Sequence, residues 1–230
     1  MTEEWLDKYH ESFKTREFIF KKEEEAAVKL KKEAREALNA TMLREKDFLK
    51  ELIQFRKSDE YAARRRSRVK AVMDIRNSLD YTENFQNPDI DKFFSIGELG
   101  QLRHINKKAI QDNLRAFKKT LRMLVNDNLD IAERYKSAID KEGEYKIEKA
   151  GQALISKVLT AHDPFNYFVA NNRSETVFKE FGIRLPRVLN EGEKYKVMAS
   201  FLKETCKKAN IPNMAVLDDF IYDLSERFKK

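Results

Sequence analysis

The side chains that most often carry out catalysis or hold metal ions are few in this chain and lie far apart. Cys206 is the single cysteine, which excludes an intramolecular disulfide and a cysteine-rich zinc site. Asp218 and Asp219 are adjacent, and adjacent side chains on a helix diverge instead of converging on one ion. The three histidines, which have no nucleophile at a matching spacing, are His10, His104 and His162. We therefore predict that the protein is not an enzyme and has no catalytic residue, metal site or cofactor.

The basic side chains indicate a different chemistry, which is contact with phosphate. The densest basic run is 64–70, and its predicted phosphate contacts are Arg64, Arg65, Arg66 and Arg68. Successive residues of a helix point about 100° apart, so the run wraps around its helix instead of forming one face. The alternative is a solvated helix whose arginines pair with the nearby acids Asp59, Glu60 and Asp74. Both interpretations remain open at the level of the sequence.

A second group of basic residues accompanies the stretch 143–183, in which glycine, proline, asparagine and aromatic residues are concentrated. Gly151 predicts a tight turn that lets the following helix start close to its neighbour. Asn171, Asn172 and Ser174 are predicted to cap a further helix, from about Glu175 to Phe181, which ends at Gly182. The aromatic residues of the stretch fit a core better than they fit base stacking. The predicted DNA contacts around this turn are Lys146, Lys149, Gly151, Gln152 and Lys157.

The elements that must position these residues are all predicted to be helices, because no run of alternating apolar residues indicates a strand. Residues 1–87 contain no glycine and no proline, whereas all six glycines and all four prolines follow. We predict an all-α protein with a long, charged, coiled-coil-like region over 1–87 and a compact multi-helix domain over 91–230. Asn106 and Asn190 predict two of the helix starts in the second domain.

A seven-residue step runs through the N-terminal region. It places small and aromatic residues on one line: Phe20, Ala27, Ala34, Thr41, Phe48, Phe55, Ala62 and Val69. One straight helix of this length cannot bury such a line by itself, so we expect breaks at 39–41 and 58–59 or a covering partner. The absence of glycine favours association, and we predict a homodimer or a complex with a partner protein through the N-terminal helices.

The overall charge allows acidic partners without selecting one. Lysine and arginine number 46 and aspartate and glutamate 39, which gives a net charge of +7 and a pI near 9.2. Nucleic acid, acidic protein and anionic lipid all suit this charge. The chain begins with acids where a secretion signal needs bases, and no apolar run approaches the ~18 residues of a membrane helix. We predict a cytoplasmic protein without a membrane segment.

The order of motifs in the second domain resembles two families. Gly151 in KAGQALISKVL, the pair 163–164, the segment 167–171 and Gly182 resemble the helix-hairpin-helix region of DNA-glycosylase-like domains. The chain is more similar to the helical region of bacterial restriction and phage-defence proteins, including some with McrB-type ATPase domains. There a glycine turn, a Ser-Lys-x-Leu helix, a Pro-x-x-Tyr segment, an Asn-x-x-Ser and a Phe-Gly recur in this order. The likeness covers about half of the chain.

The resemblance implies an all-helical domain that offers backbone N–H groups to a DNA phosphate. The chain departs from it, because the turn carries one glycine instead of two and the ATPase loop is missing. Asn171 or Asn172 stands where a glycosylase has its aspartate, and an amide cannot take a proton from water. We therefore predict a non-enzymatic nucleic-acid-binding accessory or specificity protein of a bacterial antiviral-defence or restriction system. The alternative is a protein-interaction adaptor or structural coiled-coil protein that does not bind nucleic acid.

Overall fold

The computed structural model describes residues 45–81, 85–100, 102 and 104–228, and all regular structure in these ranges is helical. The helices are α1 (residues 45–57), α2 (Asp59–Leu79), α3 (Ile90–Ser95), α4 (His104–Asp112), α5 (Leu114–Leu124), α6 (Ile131–Ile139), α7 (Gln152–His162), α8 (Asn172–Glu180), α9 (Glu191–Lys208) and α10 (Leu217–Arg227), with a 3₁₀ turn at Met214–Val216. The all-α prediction is confirmed for the described residues. The long N-terminal helix and the break at 39–41 remain predictions, because they fall outside those ranges.

The predicted break at 58–59 is confirmed, and Ser58 forms it. Its hydroxyl accepts the N–H of Tyr61 at 3.2 Å and donates to the carbonyl of Phe55 at 2.7 Å. Asp59 and Glu60 then occupy the first turn of α2, where their negative charge suits the positive end of the helix dipole. One serine therefore ends α1 and caps α2 without any glycine.

Helix α1 buries its apolar face within its own chain. Phe48 has no exposed surface, and Phe55 is 9% exposed. The centroid of the Phe48 ring lies 5.3 Å from that of Phe181 and 5.5 Å from that of Phe220. Full burial of one phenylalanine stabilises a fold by about 1.5–3 kcal/mol. The interpretation of Phe48 and Phe55 as part of a surface for a second chain is therefore wrong.

The rest of the seven-residue line does not form one surface with these two residues. Ala62 and Val69 are exposed on α2, because the break at Ser58 changes the direction of the line. The members before Phe48 lie outside the described residues. Association through the N-terminal helices stays a prediction that Phe48 and Phe55 do not support.

Helix α7 is at the centre of the core. Every residue from Leu154 to Ala161 is buried, and α2, α5 and α6 all contact this helix. The helix is mainly apolar on all sides, as expected for one that other helices surround. The buried side chain of Ser156 is hydrogen-bonded inside the core: its hydroxyl accepts the N–H of Ala170 at 2.8 Å and donates to the Gln152 carbonyl at 2.7 Å.

Helices α6 and α9 approach each other closely, and a glycine permits it. A Cβ atom placed on Gly192 would lie 1.9 Å from the carbonyl oxygen of Ala132. Deeper in the same contact, the rings of Tyr135 and Tyr195 stack in parallel, with centroids 4.1 Å apart. The missing side chain at the start of α9 therefore lets this helix lie against α6.

Most of the capping predictions in the second half of the chain are confirmed. Asn171 and Asn190 each begin a helix with a capping box, and Gly182 ends α8 with a φ of 64°. Asn106, predicted to start a helix, instead lies inside α4, which begins at His104 and is followed by α5 as a separate helix. Asn113 separates the two helices with a φ of −125°, and its side-chain amide donates to the Ala109 carbonyl at 3.0 Å. A side chain that bonds to the backbone in this way competes with helix continuation.

The structure assigns residues 46–230 to one compact unit. Within it, α2 contacts α3 and α7, and the Tyr81 hydroxyl donates to the Val158 carbonyl at 2.7 Å. The predicted division into the domains 1–87 and 91–230 means that each part folds independently, and it stays a prediction. Among the described helices, none is both long enough and apolar enough to span a membrane.

Candidate nucleic-acid interface

Lys157, one of the predicted phosphate contacts, is inside the protein. Its side chain has no exposed surface, and its Nζ donates to the carbonyls of Ile96 at 2.6 Å and Gly100 at 3.1 Å. Burial lowers the pKa of this ammonium group to about 8. The assignment of Lys157 to phosphate is therefore corrected, since α7 is covered by its neighbours and the ammonium group holds the turn at 96–100 instead.

The other residues of the predicted turn do not present their polar groups together. The Nζ of Lys146 donates to the Ala150 carbonyl at 2.6 Å, and the Gln152 amide donates to Glu175 at 2.8 Å. Lys149 is exposed, 3.7 Å from the carboxylate of Glu148. Of the predicted contacts in this turn, only Lys149 directs an exposed cation outward.

Gly151 does not have the role that the sequence suggested. Its φ is −100°, and a Cβ atom placed on it would meet nothing within 4 Å. The left-handed residue of the turn is Lys149, with a φ of 63°. Gly151 lies at the N-terminal cap of α7, with no side chain to bond the first turn. DNA contact at this turn stays a prediction that rests on Lys149 and Gly151.

The arginine run on α2 is divided by a single buried carboxylate. Asp219 on α10 is 3% exposed and accepts hydrogen bonds from the guanidinium groups of Arg64 and Arg68. Burial lowers the pKa of Arg68, but the hydrogen bond and charge of Asp219 outweigh it, so its pKa is raised. These two arginines are directed toward the protein, where they join α2 to α10.

The remaining basic residues of the run point outward. Arg65, Arg66 and Lys70 are exposed, and none of them has an ion-pair partner among the described residues. They surround two exposed apolar side chains, Val69 at 50% and Met73 at 51%. Ala62, Arg66, Val69 and Met73 are three or four residues apart, which places them on one side of the helix. We call this surface the α2 outward face: Ala62, Arg65, Arg66, Val69, Lys70 and Met73.

The charge of the α2 outward face suits an anionic partner. The sequence from Tyr61 to Met73 contains no carboxylate, and Asp74, four residues after Lys70, forms no ion pair with it. Arginine forms paired hydrogen bonds with phosphate oxygens, and the lysine adds a point charge. The apolar side chains between them suit contact with groove walls or with another protein.

The solvated-helix interpretation of the arginine run is partly confirmed, whereas phosphate contact by the outward residues stays a prediction. Arg64 does pair with the nearby Glu60, as the solvated-helix interpretation expects. The acid that determines the division, Asp219, is 155 residues from Arg64, so no local pattern pairs the two. In the sequence alone the run wraps around the helix, whereas the two inward arginines leave a single outward face.

Two of the side chains suited to catalysis, His162 and Cys206, are described by the structure, and each has a structural setting. The Nε2 of His162 lies 3.0 Å from Asp127, and burial raises the pKa of the Cys206 thiol to about 12, which makes it a poor nucleophile at neutral pH. In the part of the chain that the structure describes, no three histidine, cysteine or acidic side chains are grouped to hold a metal ion. The absence of enzymatic activity stays a prediction.

No protein-family model matches the chain, and no curated protein or solved structure matches it either. The likeness to McrB-type restriction and phage-defence proteins therefore rests on its sequence motifs alone. Of the expectations that this likeness raised, the structure supports only the all-helical fold of the described residues.

Proposed function

We propose that the protein is a non-enzymatic nucleic-acid-binding protein that contacts DNA phosphate through the α2 outward face. The observation that carries the proposal is the division of the arginine run by Asp219, which leaves Arg65, Arg66 and Lys70 exposed and without an ion-pair partner among the described residues. The resemblance to restriction and defence proteins extends the proposal to an accessory or specificity role in such a system.

The structural setting of the face supports this proposal. Asp219 is held by two guanidinium groups, and the opposite side of α2 is buried through Ala71, Val72 and Ile75. The outward cations therefore project from a helix that is fixed before any ligand arrives, which lowers the entropy cost of binding. The net charge of +7 adds a long-range attraction for a polyanion at low salt.

A second function, docking of a partner protein, is favoured by Val69 and Met73. Two large apolar side chains, each about half exposed on one helix side, form the type of apolar centre that protein interfaces use. The adaptor function therefore competes with nucleic-acid binding for the same face. The two functions differ in which side chains supply the affinity.

Fluorescence anisotropy with a labelled DNA duplex over a salt series tests the proposal. We expect Arg65→Gln with Arg66→Gln to weaken binding equally for all sequences and to reduce the slope of log K against log salt by about 1.8, or about 0.9 per contact. The matched control is Lys207→Gln with Lys208→Gln, which removes the same charge from exposed positions on α9.

The competing outcomes are distinct. Equal weakening by both double variants would show that only total charge matters, and unchanged binding in the α2 variant would contradict the proposal. Val69→Ser with Met73→Ser should leave the salt slope intact if DNA phosphate is the ligand. If duplex is not bound and this apolar variant prevents capture of a partner protein, the adaptor function is correct.

A further inference from the structure

Helix α5 carries a second row of exposed cations. Its sequence, LRAFKKTLRML, contains four basic residues and no carboxylate. Phe117, Leu121 and Leu124 are fully buried on one side of the helix. On the opposite side lie Arg115, Lys119 and Arg122, all exposed and spaced four and three residues apart. We call these three residues the α5 strip.

The α5 strip lies along a hollow of about 630 Å³, and the hollow begins at the break between α4 and α5. Of the described residues that line this hollow, Asp112 is the only acid and none is aromatic. Arg115 and Arg122 have no ion-pair partner in the described chain. Lys119 lies 3.1 Å from Glu144, but both side chains are more than half exposed, so water screens this pair and it opens at little cost.

The helix that carries the strip is held firmly. The Thr120 hydroxyl donates to the Tyr145 carbonyl at 2.9 Å, and the Nζ of Lys118 donates to the Gln86 carbonyl at 2.6 Å. The Nζ of Lys119 also lies 4.9 Å from the centre of the Tyr145 ring. These contacts fix the backbone beneath the strip, so its spacing is set before a ligand binds.

The length of the strip is comparable to the axial length that a few phosphates of a duplex strand occupy. Seven residues of helix span about 10.5 Å at about 1.5 Å per residue. One DNA strand presents a phosphate about every 3.4 Å of the duplex axis, so about three phosphates occur over the same length. Binding of single strands relies on bases stacked on aromatic side chains, and the lining of this hollow has none.

We infer that the α5 strip is a second phosphate-binding site, which contacts one strand of a DNA duplex without reading its sequence. The choice of nucleic acid rests on the proposed function, whereas the residues are separate from those of the α2 outward face. Each of the three cations neutralises one phosphate, and the carboxylate of Glu144 moves to solvent when Lys119 binds. The strip adds affinity and orientation, and base readout is left to other side chains.

The test compares three proteins by anisotropy on a short mixed-sequence duplex and on one of its strands. They are the natural protein, the strip variant Arg115→Gln, Lys119→Gln, Arg122→Gln, and the control Arg184→Gln, Lys207→Gln, Lys208→Gln. The control positions are also exposed, so the change in net charge is the same. For the strip variant on duplex, we expect the salt slope to fall by about 2.7, or about 0.9 for each lost contact. The control should keep most of the slope.

Each other outcome overturns the inference. If the strip variant keeps the salt slope of duplex binding, α5 does not contact phosphate. If the control lowers the slope as much as the strip variant does, the effect is one of general charge. A strip variant that loses single-strand binding but keeps duplex binding shows that the strand geometry is wrong. Circular dichroism of each variant checks that the helices remain folded.

The inference and the proposed function fail separately. If only the α2 variant reduces the salt slope, the proposed function is supported and the inference of a second site on α5 is contradicted. If only the strip variant reduces the slope, the α5 strip is supported and the α2 outward face is contradicted. If duplex binding by the natural protein does not depend on salt, both proposals are contradicted. If the protein binds anionic vesicles more tightly than duplex, the ligand is a lipid surface and not DNA.

Discussion

At the scale of single residues, the most informative side chain is Lys157. It connects α7 to the turn at 96–100, where Leu99 and Gly100 have φ values of 58° and 88°. The carboxylate of Asp218 accepts the Gly100 N–H at 3.1 Å from the other direction. A buried ammonium group and a half-buried carboxylate thus hold this left-handed turn in place.

We expect Lys157→Met to destabilise the protein by about 2 kcal/mol at neutral pH, because the carbonyls of Ile96 and Gly100 lose their donor. Methionine has a similar length and keeps the apolar packing. Urea denaturation followed by circular dichroism gives the difference in the free energy of unfolding.

The pH dependence of that difference follows from the lowered pKa of Lys157, about 8 in the folded protein against 10.5 in the unfolded chain. Between these values the unfolded chain binds more protons, so the folded state becomes more stable as pH rises. The natural protein should therefore increase its stability relative to Lys157→Met by about 1 kcal/mol per pH unit between pH 8 and 10. Groups that the two proteins share cancel in this difference. A difference that shrinks over this range contradicts a desolvated ammonium group.

At the scale of elements, the contact of α6 with α9 shows what one missing side chain does. Gly192 is the second residue of α9, and its backbone lies against the Ala132 carbonyl on α6. Gly151 begins α7 in a similar position in sequence but has open space around it. The two glycines therefore look alike in a sequence and differ in their surroundings.

Gly192→Ala should destabilise the protein by about 2–4 kcal/mol, because the new methyl group forces α6 and α9 apart and disturbs the stacked tyrosines. Gly151→Ala is the matched control, and we expect a change below about 1 kcal/mol there. Thermal unfolding of both variants measures the difference. Equal effects would mean that α9 can move away from α6 without loss.

At the scale of the whole molecule, the contacts join the two parts that composition separates. Phe48 and Phe55 of α1 pack on Phe220, and the Arg76 side chain of α2 donates to the Ala161 carbonyl at 2.5 Å. The long charged helices thus contribute directly to the core of the described chain. Association of the protein through its N-terminal helices remains a prediction.

A chain that begins at Asp91 tests whether the second part folds alone. The composition boundary predicts a folded protein, whereas the contacts predict loss of cooperative unfolding, because the surfaces of α7 and α10 that α1 and α2 cover become exposed. We expect that this shorter chain loses cooperative unfolding and that its exposed apolar surface binds a hydrophobic dye. A chain that begins at Lys46 should keep a single sharp transition. A sharp transition in the shorter chain would support separate domains.

The helices and their ends were determined by the sequence itself. Ser58, Asn171 and Asn190 cap helices where the sequence predicted them, because a cap depends on atoms two or three residues away. The break at Asn113 was missed, since an asparagine in an amphipathic pattern is compatible with a continuous helix. Local chemistry therefore predicts the fold class and most of the helix boundaries.

The direction of each charged side chain was decided only by the tertiary structure. Arg64 and Arg68 turn inward because Asp219 lies beside them, 155 and 151 residues further along the chain. Lys157 is buried because it reaches a carbonyl 61 residues away. A basic residue looks the same in a sequence whether it faces solvent or a carbonyl. The basic residues of the α5 strip are four and three residues apart in the sequence, but their exposure and the open hollow depend on how α5 packs. Partners that are distant in sequence meet only when the helices pack, because burial and hydrogen bonding act through space and not along the chain.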